Sequence, residues 1–150
     1  MAFEIERKFL VTDDSYKAMA TGSQAIEQGY LSDDPDRTVR VRVKGDEAFI
    51  TVKGRNHGSV RHEWEYAIAV ADAREMLALC KSVIVKRRWY VPFEGHIWEV
   101  DEFGGRHSGL VVAEVELGSA DEEVVLPPFA SREVTGDRRY YNSELARDNQ

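Results

Sequence analysis

The chain has 150 residues, of which 43% are hydrophobic and 31% are charged, and its formal net charge is −7. This length suits one domain, so we expect residues 1–150 to fold as a single domain with a sizeable core. The negative charge argues against general binding to nucleic acids or to anionic membranes, because its field repels phosphate. The single cysteine, Cys80, excludes an internal disulfide.

No apolar run reaches the ~20 residues of a membrane span, and no signal-like segment opens the chain. We therefore expect a cytoplasmic protein that does not bind membranes or nucleic acids.

Strand patterns alternate with turn signals along most of the chain. A strand that holds Glu4, Glu6 and Lys8 comes first, and a short helix follows at residues 16–20. Further strands are predicted at residues 25–31, 38–44, 48–53, 61–70, 84–91, 96–103 and 110–117, and a helix at 72–82. In the tail, the patterns indicate short helices at residues 120–123 and 143–147, and a strand at 133–135. The result predicts a mainly β (α+β) fold, in which about eight antiparallel strands close into a barrel with helices packed outside.

Charged side chains occupy alternate positions on most of these strands. Because successive side chains of a strand point to opposite faces, Glu4, Glu6 and Lys8 share one face. The same spacing recurs in Arg40/Arg42/Lys44, Thr51/Lys53, Glu63/Glu65, Lys86/Arg88, Glu99/Asp101 and Glu114/Glu116. The other face of each strand is largely apolar or aromatic.

Two interpretations fit this pattern. A sheet can simply expose its charged face to water. Alternatively, the charged face lines the inside of the barrel, which is prohibitive unless ligands pair with the buried charges. The charges are segregated into basic and acidic strands, and arginine, whose planar fork suits phosphate, outnumbers lysine on the basic ones. The second interpretation predicts a polyanion bridged to the carboxylates by a hard divalent cation, as in metal-assisted phosphoryl transfer or hydrolysis.

An ordered series of motifs resembles the CYTH-domain family, also called the triphosphate tunnel metalloenzymes. The first motif is Glu4-x-Glu6-x-Lys8, the ExExK signature. The others run along nearly the whole chain: Gln28-Gly29-Tyr30-Leu31, Arg40-Val41-Arg42, Thr51-Val52-Lys53, Glu63-Trp64-Glu65-Tyr66, Lys86-Arg87-Arg88, Glu99-Val100-Asp101, Ala113-Glu114-Val115-Glu116 and the tail from Glu133 to Tyr140. ExExK alone is a weak pattern, whereas this ordered set is specific.

The resemblance implies an eight-stranded antiparallel barrel that binds triphosphates with Mg²⁺ or Mn²⁺, and two ions suit the number of carboxylates. Members include inorganic triphosphatases, thiamine triphosphatases, class IV adenylate cyclases and RNA 5′-triphosphatases. The chain is most similar to the small bacterial members that hydrolyse inorganic tripolyphosphate, a small-molecule substrate, to diphosphate and phosphate. The oligomeric state is left open, a homodimer included.

The resemblance also assigns roles to individual residues. Four glutamates are implied as metal ligands, namely Glu4, Glu6, Glu114 and Glu116. The implied phosphate ligands are Lys8, Arg40, Arg42, Lys53, Lys86, Arg88 and Arg138, where many relatives have Lys in place of Arg138. Glu63, Glu65 and Asp101 are implied to orient water, a metal or neighbouring cations, with Glu63, Glu65 and Lys86 as catalytic candidates and Asp101 as a further metal candidate. Tyr30 lies where the family keeps a tyrosine described as a proton acceptor, although an ordinary tyrosine is a poor base at neutral pH.

Three alternatives remain open. Two alternatives share the fold: an adenylate cyclase, or a thiamine triphosphatase, in place of a tripolyphosphatase. The third alternative is not an enzyme but a module that binds polyphosphate without turnover. Trp64, Trp89 and Trp98 lie on the apolar faces of their strands, so we expect them to pack under the helices rather than to stack on a nucleobase.

Overall fold

The computed structural model describes residues 3–147, which form nine strands and three α-helices. The strands are β1 (Phe3–Val11), β2 (Gly22–Ser32), β3 (Arg37–Lys44), β4 (Glu47–His57), β5 (Val60–Ile68), β6 (Val83–Phe93), β7 (His96–Phe103), β8 (Val111–Glu116) and β9 (Ala130–Glu133). The helices are α1 (Tyr16–Met19), α2 (Val70–Leu77) and α3 (Asn142–Arg147). Among these helices, none has the length and apolar character that a membrane crossing requires.

Eight of the strands close into an antiparallel barrel. They are hydrogen-bonded in the order β5-β4-β3-β2-β6-β7-β8-β1, and a short pairing of β1 with β5, from Phe3 opposite His62 to Ile5 opposite Val60, completes the ring. The short strand β9 pairs with the far end of β1, where Phe9 lies opposite Glu133. The predicted closed barrel is therefore confirmed.

Tight hairpins fix the register of neighbouring strands. Between β6 and β7, Glu94 and Gly95 both have positive φ, at 47° and 82°, as a two-residue type I′ turn requires. In β2 the constraint is close packing, since a Cβ on Gly29 would lie 2.7 Å from the Sγ of Cys80. The observed pairing places the charged alternate positions of neighbouring strands on the same, inner side of the barrel, as with Arg88 opposite Asp101 and Thr51 opposite Glu65.

Apolar side chains cover most of the outer face. Below α1, Phe9, Trp98, Val100 and Val115 form a fully buried cluster with Tyr16. On the other side, α2 packs on β2, β3 and β4 and buries a second cluster that includes Val41 and Leu77. These two outer clusters supply the hydrophobic stabilisation that a normal small barrel obtains from its interior.

The third helix lies at one end of the barrel rather than on its outer face. Leu145 and Ala146 of α3 pack against Ile84, Phe103 and Val112. Each of these three strand residues lies two positions from an inward-facing charged residue, so each points into the lumen. An apolar layer therefore closes this end, and the lumen opens at the opposite end.

Most predicted elements are confirmed with shifted ends. The predicted helix at 120–123 is wrong, because residues 120 and 121 form only a turn and the chain then runs without regular structure to Pro127. The predicted tail strand at 133–135 lies earlier, at Ala130–Glu133. The prediction for Trp64 is also wrong: Trp98 is buried and Trp89 is half-buried, but Trp64 is 39% exposed on β5, outside the area that α2 covers.

Truncating Trp98 should destabilise the fold much more than truncating Trp64. Trp98 is fully buried, with its ring centroid 5.6 Å from that of Phe9, so Trp98→Ala leaves a large cavity and should cost about 3–5 kcal/mol. Trp64 is 39% exposed and stacks on the His62 ring with centroids 5.7 Å apart, so Trp64→Ala leaves no enclosed cavity and should cost less, roughly 1–2 kcal/mol. Urea unfolding monitored by circular dichroism measures both values. Equal losses in the two variants would contradict the outer core described above.

Candidate functional site

A cavity of about 260 Å³ occupies the lumen and is lined almost entirely by polar and charged side chains. The basic residues on its wall are Lys8, Arg40, Arg42, Lys44, Lys53, Arg61, Lys86 and Arg88, and the acidic ones are Glu4, Glu6, Glu63, Glu65, Glu99, Glu114 and Glu116. The two sets are placed by strand parity, since alternate residues of every barrel strand point inward. The prediction of an inward charged face is therefore confirmed.

The arginines of β3 and β6 crowd together in the cavity. Arg40 and Arg42 share one acidic contact, because their guanidinium groups lie 3.3 and 3.6 Å from the same Oε2 of Glu65. The Nε atoms of both arginines are buried without a hydrogen-bond partner. Burial and the repulsion of Arg40 and Arg88 lower the pKa of Arg42 to about 10. This side of the cavity thus has unused donors and excess positive charge, which an anion would neutralise.

A buried ion-pair triad lies at the base of the basic wall. Asp101 receives both a bidentate bond from Arg88, at 2.8 and 2.9 Å, and a contact of 2.7 Å from the Lys86 ammonium. Against the effect of burial, these two cations lower the pKa of Asp101 far below its usual range. Burial and Arg88 lower the pKa of Lys86 to about 8, while Asp101 opposes that shift. Asp101 therefore holds the two cations in place below the cavity surface.

Two tail residues just before α3, Tyr140 and Tyr141, contact basic residues of the cavity wall. Lys8 donates to the carbonyl oxygen of Tyr140 at 3.2 Å, and its ammonium lies 5.8 Å from the centre of the Tyr141 ring. Arg61 lies 5.7 Å from the same ring, and Asn56 donates to the Tyr141 hydroxyl at 2.9 Å. The tail thereby contacts deep cations from two different strands.

Two carboxyl groups on neighbouring strands share a hydrogen bond opposite the basic wall. Burial and the nearby Glu114 and Glu4 raise the pKa of Glu6 well above its usual value. Although burial opposes the shift, Lys8 and the hydrogen bond from Glu6 lower the pKa of Glu114 to about 2. Because a hydrogen bond between two carboxyl groups requires a proton, the opposite pKa shifts assign that proton to Glu6.

A second carboxyl pair surrounds Lys53. The Lys53 ammonium lies 3.1 and 3.2 Å from the two oxygens of Glu4 and 3.3 Å from Glu63. Burial and the charge of Glu4 raise the pKa of Glu63 to about 7, and Glu63 hydrogen-bonds to Glu4. Glu116, on β8, also has a raised pKa because of burial and the nearby Glu4 and Glu99.

The donor chemistry of this acidic wall fits a hard divalent cation. Within residues 3–147 no three acidic, histidine or cysteine side chains already converge in a metal-binding arrangement. Instead, Glu6 with Glu114 and Glu4 with Glu63 form carboxyl pairs that share protons. A cation that displaces such a proton relieves the repulsion of the two carboxylates, and carboxylate oxygens are the preferred ligands of Mg²⁺ and Mn²⁺.

The structure brings together nearly all residues that the sequence analysis selected. All of them line the cavity except two, Asp101 and Arg138. Of the roles considered for Asp101, the observed contacts are those with neighbouring cations. Arg138 is exposed in the short turn before α3 and does not reach the cavity wall. Tyr30 lines the cavity, and its hydroxyl accepts a hydrogen bond of 2.9 Å from Gln28.

Eleven residues of the cavity wall were given no role from the sequence, and among them are three charged residues, Lys44, Arg61 and Glu99, and the amide Asn142. The sequence analysis placed Lys44 and Glu99 on the charged face without giving them a role, and extending the alternation by two positions from Glu63 would have found Arg61. Asn142 is different, because it lies at the start of α3 and reaches the cavity only through the path of the tail. No strand periodicity indicates it.

The closed barrel has a buried basic wall on one side of its lumen and hydrogen-bonded carboxyl pairs on the other. Such a lumen suits a small polyanion together with hard cations. A model of the CYTH domain matches residues 2–145, and the chain belongs to this family. The resemblance identified from the sequence is thereby confirmed.

Two curated relatives match almost the whole chain. The inorganic triphosphatase of Acetivibrio thermocellus is 49% identical over 150 residues, covering 99% of this chain and 96% of the relative. The inorganic triphosphatase of Nitrosomonas europaea is 35% identical over 149 residues, covering 95% and 96%. Among solved structures, the inorganic triphosphatase NE1496 has a TM-score of 0.67 at 33% identity and covers 97% of this chain and 95% of that one. The PH1012 protein of Pyrococcus horikoshii, at 20% identity and a TM-score of 0.63 over 79% and 80%, shares the fold.

Replacing Glu63 with Gln should flatten the pH dependence of stability in the metal-free protein. The pKa of Glu63 is about 7 when folded, against an ordinary value of 4.5. The stability provided by this proton is complete below the unfolded pKa and is lost as the pH rises through the folded pKa. Wild-type protein should therefore lose roughly 2 kcal/mol of unfolding free energy through this group between about pH 4.5 and 7, and Glu63→Gln should lose less.

Urea unfolding in EDTA at several pH values measures this difference. Glu27→Gln is the matched control, because Glu27 lies on the outer face of β2 with its side chain 48% exposed; its pH slope should follow the wild type. Identical slopes in Glu63→Gln and wild type would show that Glu63 does not hold the extra proton.

Proposed function

We propose that this protein hydrolyses a linear inorganic triphosphate, tripolyphosphate, to diphosphate and phosphate with the help of a divalent metal. The observation that carries the proposal is the opposition of the two walls in one small lumen. Buried arginines with unpaired Nε atoms face carboxyl pairs that share protons. A triphosphate bound with a cation satisfies both walls at once. The near full-length similarity to two inorganic triphosphatases supports the same activity.

In this proposal the basic residues bind and orient the phosphate chain. Arg40 and Arg42 line the cavity and would bind phosphate oxygens through their guanidinium groups, while Asp101 fixes Lys86 and Arg88 from behind. Lys8 lies deeper, next to the tail. Positioned cations of this kind stabilise the charge of the transferred phosphoryl group without a covalent intermediate. Lys53, held between Glu4 and Glu63, links the basic wall to the acidic one.

Glu4, Glu6, Glu114 and Glu116 would hold the metal, which we propose to be Mg²⁺ or Mn²⁺ bound as two ions. When bound, the metal would neutralise phosphate charge and lower the pKa of a water molecule. Glu63 and Glu65 would orient that water, and Glu65 already accepts a hydrogen bond from Thr51 at 2.8 Å. Tyr30, whose hydroxyl accepts a hydrogen bond from Gln28, would orient the substrate rather than act as the main base.

The other proposals concern the whole chain. We propose that residues 1–150 form one domain, that the protein works in the cytoplasm, and that it does not require nucleic acid, a membrane or, for the chemistry, a second subunit. The lumen supports the last point, because every wall described above comes from one chain. A homodimer would leave this lumen intact.

Neutralising one predicted metal ligand should abolish metal-dependent turnover without unfolding the protein. Glu4→Gln and Glu116→Gln each remove a carboxylate from the acidic wall, and we expect a loss of at least about 10²-fold in kcat, a magnitude typical for the loss of electrostatic stabilisation. Phosphate release with Mg²⁺ or Mn²⁺ measures it. Glu27→Gln, on the outer surface, is the control and should keep full activity. Near wild-type rates in both Glu4→Gln and Glu116→Gln would defeat the assignment.

A panel of substrates separates the proposed activity from its alternatives. Tripolyphosphate should be hydrolysed faster than ATP or thiamine triphosphate, because the cavity is small, at about 260 Å³, and has only Tyr30 and Tyr141 as aromatic wall residues. Chromatography of the products identifies the reaction. A cyclic nucleotide from ATP would favour the cyclase, and a preference for thiamine triphosphate would favour that alternative. Calorimetric binding without phosphate release from any substrate would favour a binding module.

A further inference from the structure

Asn142 contacts the most deeply buried lysine of the cavity. It is the first residue of α3, and its Oδ1 accepts a hydrogen bond of 3.0 Å from the ammonium of Lys86. An ammonium has three N–H donors and no acceptor, so the amide oxygen is the group that faces it. Asn142 also lies on the cavity wall itself.

The Lys86 ammonium is held from two sides. Asp101 lies 2.7 Å away on β7, and Asn142 lies 3.0 Å away on α3. The third N–H makes no further hydrogen bond within residues 3–147, and the side chain is 1% exposed on the cavity wall. The ammonium also lies 5.4 Å from the centre of the Phe103 ring. Two fixed acceptors restrict the rotamers of the lysine, because the three N–H directions of an ammonium are fixed relative to one another.

The backbone of α3 is anchored independently of this contact. Ser82 donates to the carbonyl oxygen of Ala146 at 2.5 Å, and His107 contacts the carbonyl oxygen of Leu145 at 2.7 Å. Leu145 and Ala146 are also buried in the apolar layer that closes the barrel. The helix can therefore hold Asn142 in place even when Lys86 is changed, as a positioning residue requires.

We propose that Asn142 is a positioning residue that, together with Asp101, aims the free N–H of Lys86 at the bound phosphate chain. This proposal rests on the function proposed above for the lumen and deepens it, because it extends the phosphate site to the tail of the chain. Loss of the Asn142 hydrogen bond should mainly weaken substrate binding, because this bond orders an N–H of Lys86 that contacts the substrate already in the ground state.

The test is a double-mutant cycle read in the binding of tripolyphosphate by calorimetry in EDTA. Asn142→Leu keeps the side-chain size without the acceptor and should weaken binding about tenfold. Lys86→Met removes the ammonium and should weaken it more. In the Lys86→Met background, Asn142→Leu should have no further effect, because the residue that it orients is absent. With metal present, Asn142→Leu should raise KM more than it lowers kcat.

Two further variants distinguish positioning from a structural role. Asn142→Asp keeps an oxygen acceptor at the same distance from the backbone and should keep Lys86 ordered. We therefore expect it to weaken binding less than Asn142→Leu does. Ser82→Ala loosens α3 without touching Lys86 and should leave binding within about twofold of wild type. Additive losses in the double mutant, or a loss in Ser82→Ala equal to that in Asn142→Leu, would overturn the proposal.

The binding readout keeps this test separate from the proposed hydrolysis. If wild-type protein binds tripolyphosphate without releasing phosphate, the proposed enzymatic function fails, yet the cycle still decides the role of Asn142. If wild-type protein hydrolyses tripolyphosphate and the cycle is additive, only the positioning role of Asn142 fails.

Discussion

The rest of the structure depends on one unfavourable feature, the burial of many charged side chains inside a small barrel. Burying an isolated charge costs several kcal/mol, and leaving one partner of a buried pair unpaired costs about 3–5 kcal/mol. The chain meets this constraint by pairing, as in the triad of Asp101 with Lys86 and Arg88, and by sharing protons between carboxyl groups, as in Glu6 with Glu114. Pairing is incomplete at Arg40 and Arg42, which line the cavity and whose buried Nε atoms have no hydrogen-bond partner. The incomplete pairing marks the place where a ligand supplies the missing charge.

The charged lumen also explains why the apolar residues lie on the outer face of the barrel. A barrel with a charged lumen cannot use its interior as a core, so stability must come from the outer face and the closed end. Tyr16 and Phe129 cover the cluster around Trp98, and α2 covers the cluster around Val41. The closed end is the one place where apolar side chains, among them Ile84 and Phe103, fill the lumen. Stability and binding therefore use different surfaces of the same strands.

The sequence predicts what depends on strand alternation and misses what depends on the path of the chain between elements. Glu4, Glu6 and Lys8 were assigned to the lumen because period two is a local property of any strand. Trp64 shows the limit: its parity places it on the outer face, but only the position of α2 decides that it stays exposed. Arg138 and Asn142 lie four residues apart in the tail, and the course of the turn before α3 puts the second on the cavity wall and not the first. Side-chain type and spacing contain no such information.

The apolar layer at the α3 end closes that end of the lumen, and the opposite end is open. A ligand that enters from the open end passes the partly exposed Glu65, Glu99 and Glu116 and reaches Lys8 and Lys86 last. A substrate cut in two in a lumen closed at the α3 end would release its outer fragment first and the inner one, against Lys8 and Lys86, last. The closed end thus imposes an order on events that a tunnel open at both ends would not.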